Sequence, residues 1–166
     1  MHIIAAITGI LLILIVLLDG FETIVLPRRV TQGLRLSRLF YRGSWVPWKR
    51  VARRIASTSR RENFLSFYGP LSLLLLVVLW VSLLVSGFAL LQWSIGGNLR
   101  TPEGISNGDL STNLYLSVSS FFTLGLGDVV PLATVGRMLS VLEAGIGFLF
   151  LAVIIGAKLM GILGVI

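Results

Sequence analysis

The 166-residue chain has no cysteine and one histidine, His2. The first absence rules out a disulfide framework and a thiolate metal site. The second leaves no imidazole to serve a nucleophile or join a metal cluster, and no acid pair is assembled elsewhere, so the sequence does not read as an enzyme. Charge is scarce too: Asp, Glu, Lys and Arg make up 13% of the residues, roughly half the share found in soluble domains. The run from Pro70 to Trp93 carries none. The opening MHIIAAITGILLILIVLL lacks a basic n-region and a small-residue cleavage site, which argues against a secretory signal.

What fills the chain is apolar. Hydrophobic residues reach 55% and the mean hydropathy is +0.94, values that belong in a membrane. Three stretches can cross the roughly 30 Å hydrocarbon layer: Ile3 to about Leu26, Leu71 to about Trp93, and about Thr134 to Lys158. Eleven of the fourteen Lys and Arg residues lie between Pro27 and Ser66, against one acid, Glu62. The positive-inside rule makes that segment cytoplasmic and puts the N-terminus outside. The expected organisation is a transmembrane helix over 1–26, a basic interfacial linker over 27–69 and a pore-forming unit over 70–166. The last divides into an outer helix (70–93), a solvated Gly/Asn/Ser-rich turret (94–112), a re-entrant helix and loop (113–128) and an inner helix (133–166). The setting is a multi-pass protein of the cell membrane.

Asp19 and Glu22, near the cytoplasmic end of the first helix, are expected to pair with arginines of the linker, because an acid there is costly alone. In the linker, Arg35, Arg38 and Arg42, then Lys49, Arg50, Arg53 and Arg54, interleave with apolar residues at helical spacing around Trp45-Val46-Pro47-Trp48. This is the pattern of helices lying in the interface against anionic lipid. A voltage sensor needs a cation at every third position, and Tyr41 breaks the series after Arg35 and Arg38. The basic run is also too short, and too closely held between spans, to favour nucleic acid.

Asn113 to Phe122 is too short to span a bilayer and suits a half-helix that enters and stops. After it comes Thr123-Leu124-Gly125-Leu126-Gly127-Asp128. Irregular backbone at membrane depth is tolerated only where protein buries it or it lines a wet cavity, so this loop predicts a pore. Alternating glycines allow the positive φ values that bring successive carbonyls onto an ion path, with Leu124 and Leu126 pointing outward into supporting protein.

The hexapeptide resembles the TVGYGD signature of potassium channels, and it is similar to the TIGLGD of the second pore loop in two-pore-domain potassium channels. Outer helix, pore helix, filter and inner helix follow in the family's order from Pro70 to Ile166. The resemblance implies an all-α membrane protein: three transmembrane helices plus a pore helix and filter loop, assembled as a homotetramer. It further implies K+ ions held at Thr123, Leu124, Gly125 and Leu126, with Gly127 completing the filter.

The departures from the family pattern matter as much. The family's tyrosine is Leu126 here, and its usual aromatic partner on the pore helix is Leu116, so both halves of that pair are apolar. Ser119 stands where some members place a glutamate that pairs with the filter aspartate, which would leave Asp128 without that partner. In the inner helix Gly147 aligns with the family's hinge, and Phe148, Leu151, Ile155 and Leu159 with the cavity face, where an apolar ring could gate; ordinary helix packing would give the same stripe. Glu143 aligns behind the filter, as a hydrogen-bond partner of the pore-helix region or a protonatable group coupled to gating. The chain is still apolar at Gly161 to Ile166, which favours a longer natural chain.

The sequence therefore reads as a subunit of a potassium-selective, passively conducting channel. A weakly selective cation channel and a non-conducting membrane anchor or regulatory subunit are the rival readings.

Overall fold

The structure, a computed structural model, describes residues 2–24, 36–52, 62, 64–106 and 108–162. In chain order the elements are α1 (His2–Ile24), α2 (Leu36–Ala52), α3 (Tyr68–Ile95), β1 (Leu99–Thr101), β2 (Gly104–Ser106), α4 (Leu110–Phe121), β3 (Val130–Pro131) and α5 (Thr134–Ile162). Three helical stretches, His2–Thr23, Phe64–Ile95 and Thr134–Gly156, are long and apolar enough to cross a membrane. The chain folds as two compact units, Met1–Ile15 with Leu83–Ile166, and Val16–Ser82.

In the first unit α1 and α3 touch at two glycines. A Cβ on Gly9 would stand 2.6 Å from the Gly87 carbonyl oxygen, and one on Gly87 would meet the Gly9 oxygen at 3.0 Å. Small residues let backbones approach this closely, and close packing is what drives association where lipid removes the hydrophobic incentive. His2 and Trp93 close the same pair at the chain's start, ring centroids 5.6 Å apart. Val85, Phe88 and Ala89 of α3, Leu116 and Phe121 of α4, and Phe150 of α5 are buried.

The turret is more ordered than its composition suggests. β1 is the middle strand of a three-stranded antiparallel sheet, order β2-β1-β3. It pairs Arg100 with Ile105 on one side and Arg100 with Val130 on the other. The hairpin turns at Pro102-Glu103, a residue pair with the fixed φ that a tight turn uses at its first corner. This sheet ties the segment after the glycine-rich loop to the turret.

The second unit is organised by Asp19. Its Oδ2 accepts from the Ser37 backbone N–H at 3.0 Å and from the Trp80 indole N–H at 2.8 Å, while Oδ1 accepts from the Ser37 hydroxyl at 3.0 Å. The partners expected for this acid were arginines; the described ones are a helix N-terminus and an indole. A carboxylate suits the first turn of α2, whose free N–H groups and dipole favour negative charge. α2 runs as one helix through Pro47. Its aromatic face meets the residues around Tyr68: Trp48 stacks on Phe64 at 4.3 Å, and the Tyr68 hydroxyl lies 2.8 Å from Ser44 Oγ.

The glycine crossing makes a direct prediction. Gly87→Val should destabilise the protein by about 1–3 kcal/mol, the range for overpacking a tight contact. Gly43→Ala, which meets nothing within 4 Å, should leave stability unchanged or slightly higher. Thermal unfolding in detergent compares the two, and equal midpoints for both variants would refute the crossing.

Candidate functional site

The site is built on α4, and both ends of this helix are fastened. Asp109 is its N-cap, in extended conformation with φ −77° and ψ 176°. Its carboxylate accepts from the Thr112 N–H at 2.8 Å, from the Thr112 hydroxyl and, at 2.7 Å, from the Ser111 hydroxyl. These bonds, the Thr112 hydroxyl foremost, hold the carboxyl down to about 2. Asn113 adds a bond from its side-chain amide to the Asp109 carbonyl at 2.9 Å.

The other end closes as a Schellman motif. The Leu124 N–H reaches back to the Ser119 carbonyl at 2.9 Å and the Thr123 N–H to Ser120 at 3.0 Å. The motif needs a left-handed residue after the helix, and Thr123 supplies it with φ +53°. Glycine or asparagine normally stands there; a β-branched residue at positive φ is an outlier that marks a special site. The loop then continues in alternation. Gly125 has φ +59° and Gly127 +74°, whereas Leu124 and Leu126 are not among the positive-φ residues.

Leu124 and Leu126 stand 57% and 60% exposed, so nothing within one chain encloses them. Leu116, by contrast, is buried. A groove of about 320 Å³ runs behind the loop, lined by Leu116, Ser119, Thr123, Gly125, Val141 and Ala144 among others.

Asp128 has a partner that the sequence reading missed. Tyr115 donates its hydroxyl to Oδ2 at 2.7 Å, and the Val129 N–H caps Oδ1 at 3.0 Å. The bond to the carboxylate keeps the Tyr115 phenol above its ordinary value. Ser119 takes no part in this contact; Tyr115, four residues earlier and one turn back on α4, points the right group at the aspartate. Beyond it, Arg137 Nε donates to the Pro131 carbonyl at 3.0 Å, and a Cβ on Gly136 would lie 2.9 Å from that of Pro131. The start of α5 is thereby clamped to the strand that leaves the loop.

Glu143 is fully buried. The Ser117 hydroxyl contacts its Oε1, and Gln92 Nε2 donates to its Oε2 at 3.1 Å. Ser117 also lies 2.9 Å from the Val85 carbonyl. Three helices meet at this carboxyl group, α3 through Gln92 and Val85, α4 through Ser117, and α5. Four residues on, Gly147 touches the end of α4: a Cβ there would fall 2.5 Å from the Phe121 carbonyl oxygen. Its lack of a side chain is thus required by packing. Phe148 and Ile155 are exposed and Leu151 half-buried; the Leu159 side chain lies outside the described residues.

The described basic positions lie on α2. Arg38, Arg42, Lys49 and Arg50 are all exposed, and Arg35, Arg53 and Arg54 lie outside the described residues. Among the described residues no cluster of three His, Asp or Glu side chains could hold a metal ion.

The capping carboxylate gives a pH test. Because Asp109 titrates at about 2 in the fold, below its ordinary 3.8, its contribution is complete above the ordinary value and is lost as pH falls toward the folded one. Asp109→Ala should lower the thermal midpoint at neutral pH, and the gap to the wild type should close as pH falls through that window. A gap that persists unchanged at acid pH would remove the carboxylate from the account.

No solved structure matches the chain. An 85-residue stretch, 51% of the chain, is 34% identical to the uncharacterized membrane protein YdjJ of Bacillus subtilis (strain 168). The aligned stretch covers about 25% of that relative's length. The model of the Ion_trans_2 family, described as ion channel, matches residues 73–160, which take in most of α3, the turret, α4, the loop and nearly all of α5. On that match, which covers more than half of the chain, the chain belongs to the Ion_trans_2 ion channel family.

Proposed function

We propose that the protein is a potassium-selective channel subunit that conducts K+ passively, with Thr123 to Gly127 as the selectivity filter. The observation that carries this reading is the alternation of left-handed residues at 123, 125 and 127, beginning at the cap of α4. Alternating hands turn successive peptide planes the same way, the opposite of a strand, whose carbonyls point to alternate sides. A row of carbonyls on one side can replace the water shell of a cation. K+ would sit between the carbonyls of Thr123, Leu124, Gly125 and Leu126, with the Thr123 hydroxyl at the inner end. The C-terminal end of α4 adds its partial negative charge beside that row.

One row cannot surround an ion, so four copies are required, each giving one loop to a common axis. Exposure of Leu124 and Leu126 supports assembly: side chains open on one chain become covered between copies. Leu126 of one copy would seat in the groove behind the next copy's filter, against Leu116. Such a cuff holds by packing, with no buried hydroxyl left to satisfy. Asp128, held by Tyr115, would sit at the outer mouth. Phe148, Leu151, Ile155 and Leu159 would line the cavity and inner gate, with Gly147, packed on Phe121, as the hinge.

The topology would place the N-terminus outside and α2 along the cytoplasmic face of the cell membrane. There Arg38, Arg42, Lys49 and Arg50 would meet anionic headgroups, each contributing about 1 kcal/mol.

A weakly selective cation channel is the second reading, favoured by the apolar cuff, which offers fewer directional bonds to hold the carbonyls. Reversal potentials of the purified protein in planar bilayers under opposed K+ and Na+ gradients decide between them. Selective conduction places the reversal near the K+ equilibrium potential, with barium block; a reversal showing equal permeability sinks the selective reading. Absence of any flux would favour the anchor or regulatory role.

A further inference from the structure

Glu143 is the acid within α5, and the network around it contains more contacts than an ionised carboxylate can satisfy. Ser117 Oγ lies 2.9 Å from the Val85 carbonyl and also touches Glu143 Oε1. A serine hydroxyl has a single proton to give. The Val85 carbonyl can only accept, so when the hydroxyl points to Val85 the proton in the Ser117–Glu143 contact must come from the carboxyl group. The second carboxyl oxygen, Oε2, already accepts from Gln92 Nε2 at 3.1 Å. One arrangement gives every contact one proton: Glu143 Oε1–H to Ser117 Oγ, Ser117 Oγ–H to Val85 O, and Gln92 Nε2–H to Glu143 Oε2. An ionised group would take the hydroxyl proton for itself and leave the Ser117–Val85 contact without one, the Val85 carbonyl keeping only its partner within the helix.

The charged groups nearby are engaged elsewhere. The segment Leu83–Ile95 of α3 contains no Asp, Glu, Lys, Arg or His. On α4 the titratable group is Tyr115, whose hydroxyl goes to Asp128. On α5 Arg137 donates from Nε to Pro131, and Lys158, about 22 Å along the axis, has a side chain outside the described residues. The described donors at Glu143 are neutral, and burial of a charge without a cation is what a protein avoids by keeping the acid protonated.

We propose that Glu143 is held as a neutral carboxylic acid, and that through its proton it acts as a positioning residue for the filter. Ser117 sits in the third turn of α4, four residues before the Phe121 carbonyl that touches Gly147. The chain Glu143–Ser117–Val85 therefore joins α5, α4 and α3 in a directional linkage just before the left-handed cap at Thr123. The positioning role rests on the conduction reading above; the protonation does not.

The Gln variant separates the two protonation states. A glutamine at this position can donate from its amide to Ser117 and accept from Gln92, the pattern of the protonated acid, and it cannot imitate a carboxylate that accepts at both oxygens. For the full chain in liposomes, Glu143→Gln should keep K+ flux within about twofold of the wild type, while Glu143→Ala lowers it by roughly tenfold or more. Infrared spectra should contain a carboxylic-acid carbonyl band that is missing from Glu143→Gln. Ser117→Ala, which keeps the acid but removes its acceptor, should shift that band to the frequency of a weaker hydrogen bond. The proposal is overturned if the wild-type and Glu143→Gln spectra coincide in the acid region, or if Glu143→Gln loses as much flux as Glu143→Ala. A protonated band in a wild type that carries no flux would uphold the protonation and overturn the conduction reading instead.

Discussion

Two hydrogen bonds at the end of α4, from Thr123 and Leu124 back to Ser120 and Ser119, govern the rest of this structure. The last carbonyls of a helix have no partner within it, so they must find donors elsewhere. The Schellman cap finds them and at once reverses the backbone into a left-handed residue. Glycine would do this without strain, and a β-branched residue there costs on the order of 1–2 kcal/mol. Such a conformation persists only if its surroundings over-determine it. They do so from both sides: Asp109 and Asn113 fasten the start of α4, Ser117 fastens its middle, and Gly147 closes on Phe121 at its end. The same rigidity then continues past the loop, through Tyr115 on Asp128 and Arg137 on Pro131.

Among the described residues two acids are buried, Asp19 and Glu143, and each joins helices. Asp19 draws α2 and α3 onto the end of α1 in one unit, and Glu143 draws α3 and α4 onto α5 in the other. Packing between apolar helices is nearly non-directional in lipid, because lipid tails are as good a neighbour as leucine. A buried hydrogen bond supplies the direction, and the Gly9–Gly87 contact supplies the close approach.

Much of this was legible in the sequence because membranes impose simple rules. Length and hydropathy locate α1, α3 and α5, and a short apolar run before glycines at alternate positions locates α4 and the left-handed loop. The partners of the acids were not legible. For Asp19 the described partners are an indole 61 residues away and a helix N-terminus, neither of which charge alone suggests; the expected arginines Arg28, Arg29 and Arg35 lie outside the described residues. Ser119 drew notice through its alignment, yet the group on Asp128 is Tyr115; its hydroxyl four residues before Ser119, on the same helix face, was the available signal. The β-hairpin was masked by turret composition, since Gly, Asn and Ser suggest open loop and three-residue strands leave little periodicity to read. Gly9 and Gly87 are invisible singly, because each matters only through the other.

The central claim is that the alternating backbone from Thr123 to Gly127 forms a binding site for dehydrated K+. Ligands that bind the folded state raise its stability in proportion to their affinity and concentration. Thermal unfolding of the purified, assembled protein across matched titrations of KCl and NaCl at constant ionic strength measures this directly. The account predicts a midpoint that climbs with K+ and stays level with Na+, and a Thr123→Ala variant in which the K+ response is weakened. Equal midpoints in the two salts at every concentration would contradict it.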